Sequence, residues 1–148
     1  MRLIYTAGAM SASTAWEVEQ NIRAAEEVAL QILKMGAAVH CPQSQGRFYS
    51  NELSFAEWIE RDLEVLSRCN AIFMLPNWKD SKGATAEHAW AKDHGMKILY
   101  GLGEVAAYLK EPNLTLDVVD WQPHEDPRRT AYVVGLEREL ERLKKERP

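Results

Sequence analysis

The sequence predicts an α/β fold, a doubly wound parallel sheet of four to five strands with helices on both faces. Three observations carry that expectation. Four short apolar runs, LIYTA (3–7), AAVHC (37–41), AIFMLP (71–76) and KILYG (97–101), are separated by segments with helical spacing. The runs are apolar almost throughout rather than alternating, as strands covered on both faces are. Glycines, Gly36 and Gly95, stand where two helical patterns end, and a strand follows each.

After the first strand, a helix over about 17–35 sets Val18, Ile22, Ala25, Ala29, Ile32 and Leu33 on one stripe and stops at Gly36. The segment PQSQGRFYSNEL (42–53) after the second strand is long for a connection and reads as a loop, either a lid or a surface excursion. A helix over about 54–68 follows, amphipathic through Phe55, Trp58, Ile59, Leu63 and Leu66. The third strand leads to a helix that begins near Ser81 and ends by Gly95. With right-handed crossovers this β-α-β-α-β-α-β order gives a Rossmann- or flavodoxin-like sheet, whose ligands bind beyond the carboxyl ends of the strands.

Beyond residue 101 the pattern weakens. GEVAAYL reads as a short helix, and NLTLDVVDWQPHEDP (113–127) as a fifth edge strand or an irregular crossing. These close an α/β domain of residues 1–127. Residues 128–148 form an amphipathic helix through Val133, Leu136, Leu140 and Leu143, suited to packing on its own domain or against a partner helix.

Composition narrows the function. The 148 residues are 46% hydrophobic and 27% charged with a formal net charge of −4, and basic residues are scattered except near the C-terminus. A nucleic-acid polymer or an anionic membrane is therefore not the expected partner. Cys41 and Cys69 lie far apart and outside any CxxC pattern, which argues for reduced thiols in a cytoplasm. No run approaches the roughly 18 apolar residues of a membrane span. His40, His88, His94 and His124 lack ligand spacing, so no metal site is expected.

Two carboxylates occupy positions where apolar or small residues belong. Asp62 falls within the apolar stripe of the helix over 54–68, near Trp58, Ile59 and Leu66. It is either a functional acid or half of an ion pair with Arg61, Arg68 or Arg23. Glu87 shares a helix face with Ala84 and Ala91, one turn beyond the capping Ser81. Either the alanines leave room for a ligand over Glu87, or they pack on the sheet and leave Glu87 at an exposed edge. Ser81, the permissive Gly83 and the open N–H groups of the first turn make an anion site.

The loop Gly8-Ala9-Met10-Ser11 after the first strand adds close backbone approach and a hydroxyl. No GxGxxG or GxxxxGK[ST] pattern accompanies it, which argues against a dinucleotide fingerprint or a P-loop. Tyr5 is ordinary core or, near the strand's carboxyl end, a hydroxyl that needs a buried partner. Phe48, Tyr49, Trp58 and Trp78 are either packing residues or a surface on which a base stacks.

YTAGAM (5–10), RDLEVLSRCNAIFMLPNW (61–78) and SKGATAEHAWAKDHGMKI (81–98) together resemble the nucleoside 2-deoxyribosyltransferase-like family, over about residues 1–101. That family includes deoxynucleoside 5′-monophosphate N-glycosidases, and the likeness extends to a small phage and bacterial branch of unknown function. The resemblance implies that Glu87 attacks or stabilises the anomeric carbon, that Asp62 assists departure of the base, and that Tyr5 orients Glu87. It places Ser81 where the monophosphate glycosidases have a serine and the transferases an aspartate. The implied substrate is a nucleotide or nucleoside held by Gly8, Ala9, Met10, Ser11, Ser81, Gly83 and Ala84, with no cofactor and with a homodimer or higher homo-oligomer.

Hydrolysis of a (deoxy)nucleoside 5′-monophosphate is the expected reaction; base exchange and a non-catalytic nucleotide sensor are the alternatives. The chain departs from the family pattern at Ala9, where proline is usual, at Ala12, where glycine is common, and at Cys69-Asn70, where the pair is Cys-Asp.

Overall fold

The computed structural model describes residues 1–112 together with Arg138 and Arg142. The expected crossing over 113–127 and the C-terminal helix with Val133, Leu136, Leu140 and Leu143 lie outside the described residues. The elements run β1 (Leu3–Ala7), α1 (Ala15–Lys34), β2 (Ala38–His40), α2 (Pro42–Tyr49), α3 (Phe55–Leu66), β3 (Ala71–Met74), a 3₁₀ turn (Trp78–Asp80), α4 (Lys82–Asp93), β4 (Lys97–Leu99) and α5 (Leu102–Lys110).

The four strands form one all-parallel sheet in the order β2-β1-β3-β4. In β1, Tyr5 lies opposite His40 on one side and Ile72 on the other. Strand alternation divides the core into two layers. Tyr5, Ala7, Ile72 and Met74 pack with Ile59, Leu63 and Leu66 of α3 and with Ala84, Trp90 and Ala91 of α4. Ile4, Ala71, Phe73 and Leu99 pack with Ile32 of α1 and with Val105 and Tyr108 of α5. Helices thus cover both faces, as a doubly wound sheet requires. The strand order reverses between β1 and β3, so the crevice beyond their carboxyl ends is where such a sheet binds a ligand.

Local chemistry fixes the helix ends. Thr14 and Ser54 each form a reciprocal capping box, with Glu17 and Glu57, at the starts of α1 and α3. The first of these starts α1 two residues earlier than apolar periodicity alone places it. Beyond α1 and α4, Gly36 and Gly95 adopt φ of 95° and 65°, where a side chain would be strained.

The segment 42–53, expected to be a loop, is helical over its first two thirds. Pro42 opens α2 at a position where a missing N–H costs nothing. Arg47 bonds Glu19 at 2.5 Å and Glu26 at 2.5 Å, clamping α2 onto α1. Tertiary contacts therefore stabilise a helix whose polar composition and central Gly46 gave no periodic signal.

Candidate active site

Three elements converge at the centre of the α3/α4 face. The Tyr5 hydroxyl, from β1, donates to Glu87 Oε1 of α4 at 2.5 Å. Tyr5 is wholly buried and Glu87 only 4% exposed. Ala84 and Ala91 are in the packed core, so α4 does sit tightly on the sheet through its alanines, yet Glu87 points inward rather than to an exposed edge. Burying an acid there is tolerated because the tyrosine supplies a donor.

Asp62, half-buried on α3, is the negative charge that acts on Glu87. The arginines considered as its partners are engaged elsewhere. Arg61 donates to the Glu57 carbonyl, Arg68 pairs with Glu64, and Arg23 pairs with Glu19 at 2.7 Å. No ion pair to Asp62 occurs among the described residues.

Burial pushes Glu87 up to about 8; the Asp62 charge adds to the rise, and the Tyr5 hydrogen bond pulls it back. Burial likewise pushes Asp62 up to about 7. Tyr5 is raised well above the usual phenol value by burial, then by the Glu87 and Asp62 charges, so its proton stays in place to be donated. Two acids in one low-dielectric site with no cation beside them resist ionising together. Such a pair can serve as one acid and one base in proton transfer.

The remaining site residues flank this centre. Ser81 caps α4, accepting from the Ala84 N–H at 3.2 Å, and its carbonyl takes the Thr85 N–H at 2.9 Å. The N–H groups of Lys82 and Gly83 have no partner among the described residues. A Cβ at Gly83 would stand 3.2 Å from Ile59 Cδ1, so the glycine lets the first turn of α4 close on α3. A Cβ at Gly8 would come within 2.5 Å of Leu75 Cδ1, which holds the β1 loop tight against the end of β3. Ala9 is buried, Met10 half-buried and Ser11 exposed.

Further aromatic and amide side chains pack on these elements. The His40 ring stacks on Tyr5 with centroids 5.4 Å apart, and its Nε2 is buried without a partner among the described residues. Trp78 stacks on His88 at 4.3 Å, and His88 Nε2 bonds the Tyr100 hydroxyl at 2.8 Å. Tyr49 stacks on Trp58 at 5.8 Å, whereas Phe48 is almost fully exposed. Gln43, Asn21 and Asn77 reach the β1 loop with their amides. The register of β1 against β2 would have found His40; Gln43 comes into view only once α2 is recognised as a helix.

Among the described residues, no group of three or more His, Cys, Asp or Glu side chains is placed to hold a metal ion. No described helix is long and apolar enough to cross a membrane. Compared with curated proteins, the chain matches none. A family model does match it, over residues 2–100, from the start of β1 to just past β4. The chain thus belongs to the family described as a domain of unknown function, DUF4406.

Proposed function

We propose that the protein is an N-glycosidase that hydrolyses the bond between base and sugar in a (deoxy)nucleoside 5′-monophosphate. The observation that carries this reading is the buried Tyr5–Glu87 hydrogen bond with the unneutralised Asp62 acting on the same carboxyl. Cleaving an N-glycosidic bond builds positive charge on the sugar and negative charge on the departing base. A carboxylate beneath the ring and an acid beside the base answer both demands.

Glu87 takes the first role. Its carboxylate attacks the anomeric carbon as the C–N bond breaks, and the base leaves with the bonding electrons and a proton from Asp62. Water then displaces Glu87 from the sugar and gives its proton to Asp62, which restores both groups. Burial and the Asp62 charge together favour the proton on Glu87 over Asp62 in the free protein, even with the Tyr5 hydrogen bond in place. The positive charge that develops on the bound sugar adds to the Tyr5 hydrogen bond in favouring negative charge on Glu87, and it is this charge that draws the proton toward Asp62.

The monophosphate preference rests on the capped start of α4. Ser81 is a neutral cap, and the Lys82 and Gly83 N–H groups are open donors at a helix N-terminus, which favours an anion. The same reading includes a cytoplasmic homo-oligomer, and sedimentation velocity reads that assembly directly.

The deciding experiment incubates the purified protein with a panel of nucleosides and their 5′-monophosphates and follows released base by chromatography. Base release from a monophosphate, lost in Glu87→Gln, is the expected result. Tight binding of a monophosphate without release would instead make the protein a sensor, and full activity in Glu87→Gln would remove Glu87 from the mechanism.

A further inference from the structure

Three side-chain amides from three different segments converge on the backbone of residues 8–10. Gln43 Nε2, from α2, donates to the Gly8 carbonyl at 3.1 Å. Asn77, just past β3, accepts the Ala9 N–H on its Oδ1 at 3.1 Å. Asn21 Nδ2, from α1, donates to the Met10 carbonyl at 3.3 Å. Each amide is also engaged at its other end. Asn77 Nδ2 donates to Asn21 Oδ1 at 3.3 Å, and Gln43 Oε1 accepts from Cys41 Sγ at 3.4 Å. With oxygen and nitrogen both committed, no amide can turn over without losing bonds.

The support for this set extends outward. Gln43 is only 4% exposed, so its donor has no water to fall back on. Met10 is seated on α2, where a Cβ at Gly46 would come within 2.5 Å of its sulfur. The Arg47 bonds to Glu19 and Glu26 in turn fix α2 on α1. The loop is held at three backbone groups, while the N–H groups of Met10 and Ser11 have no partner among the described residues.

We propose that Gln43, Asn21 and Asn77 are positioning residues that hold the Gly8–Ser11 loop in the shape that receives the 5′ end of the substrate. They thereby add, beside the capped start of α4, a second determinant of the discrimination between a nucleoside 5′-monophosphate and the free nucleoside. The inference rests on the nucleotide reading above and extends it from the residues that touch substrate to those that hold them. A loop fixed on folding has little ordering entropy left to lose when ligand arrives. Loosening it penalises the ligand that uses its donors and leaves a ligand that does not use them less affected. A merely structural role would affect both alike.

The test compares wild type with Gln43→Glu, which keeps the shape but sets a carboxylate oxygen against the Gly8 carbonyl, and with Asn21→Ala, at a half-buried position. KM for a 2′-deoxynucleoside 5′-monophosphate should rise about tenfold in Gln43→Glu, the scale of one lost buried hydrogen bond, and less in Asn21→Ala. The rise for the matching nucleoside should be smaller, the change in kcat should be smaller than that in KM, and exchange of the Ala9 N–H should quicken. Faster Ala9 exchange with an unchanged ratio of the two KM values overturns the proposal, as does unchanged exchange.

If wild type releases no base, the glycosidase reading fails, and calorimetric binding of the same two compounds replaces KM. Selective weakening for the monophosphate then still supports the positioning role. Equal weakening, or no binding to wild type, overturns it. Should Gln43→Glu fail to fold, Asn21→Ala carries the same comparison.

Discussion

The Tyr5 hydroxyl donates to Glu87 Oε1 at 2.5 Å, joining β1 to α4 across 82 positions of sequence in a fully buried setting. The bond favours the ionised carboxylate, against burial and the Asp62 charge. Tyr5→Phe removes the hydroxyl and little else. The pKa of Glu87 then rises further, and the ionised nucleophile is reached only at higher pH. The rising limb of kcat/KM for base release therefore moves up in pH. The rate at neutral pH falls on the order of 10- to 100-fold, the worth of one hydrogen bond to a charged group. A profile between about pH 5 and 9 reads both effects, and an unmoved limb would detach Tyr5 from Glu87.

Asp62→Asn acts on the same carboxyl in the opposite sense. Removing the neighbouring negative charge takes away the second cause of the Glu87 rise, so the rising limb moves to lower pH. The variant also loses the acid that protonates the base, so its maximal rate falls, most for bases that leave poorly. Comparing good and poor leaving groups across the two profiles separates the two contributions. A lower limb with undiminished rate on every base would restrict Asp62 to an electrostatic role.

The raised pair also makes stability depend on pH. Both groups bind protons more tightly in the folded protein than at their ordinary values of 4.5 and 3.8, so folding takes up protons. Their favourable contribution is complete below the unfolded values and is lost as pH rises through about 7 for Asp62 and about 8 for Glu87. Glu87→Gln removes one of them. Relative to wild type, the variant should gain on the order of 3 kcal/mol between about pH 5 and pH 8. Urea unfolding at both values measures it, and the difference cancels any pH-independent cost of the amide. Parallel curves for the two proteins would mean that Glu87 is not buried as a raised acid.

The sheet was legible because its signals are local. LIYTA coincides with β1, and Gly36 and Gly95 mark helix ends by a conformation that only glycine adopts easily. The two embedded acids were legible for a similar reason, since a charge in an apolar stripe stands out at helical spacing. Their pairing was not, because whether Asp62 meets an arginine or Glu87 depends on how α3 and α4 lie on the sheet. Nor was α2. Its stability comes from Arg47 reaching Glu19 and Glu26 on another helix, which no periodicity within PQSQGRFY records. The Gln43 bond to Gly8 was hidden with it, because Gln43 reaches the β1 loop from that helix.

One chemical change, glycine to alanine, should have opposite signs at two positions. At Gly8 the new methyl would stand 2.7 Å from Leu75 Cβ and 2.9 Å from Asn77 Oδ1. Leu75 Cβ is fixed to the backbone at the end of β3, so relief requires the β1 loop to move. Gly8→Ala should then cost about 1–3 kcal/mol and disturb the Ala9–Asn77 bond. Gly103, exposed in the first turn of α5, has nothing within 4 Å of an added methyl. There alanine reduces the freedom of the unfolded chain and suits the helix, and Gly103→Ala should stabilise by roughly 0.5–1 kcal/mol. Thermal melts at one pH resolve shifts of a few degrees in opposite directions. A neutral Gly8→Ala would show that the loop is not held against Leu75, and with it the positioning of residues 8–10 would lose its steric basis.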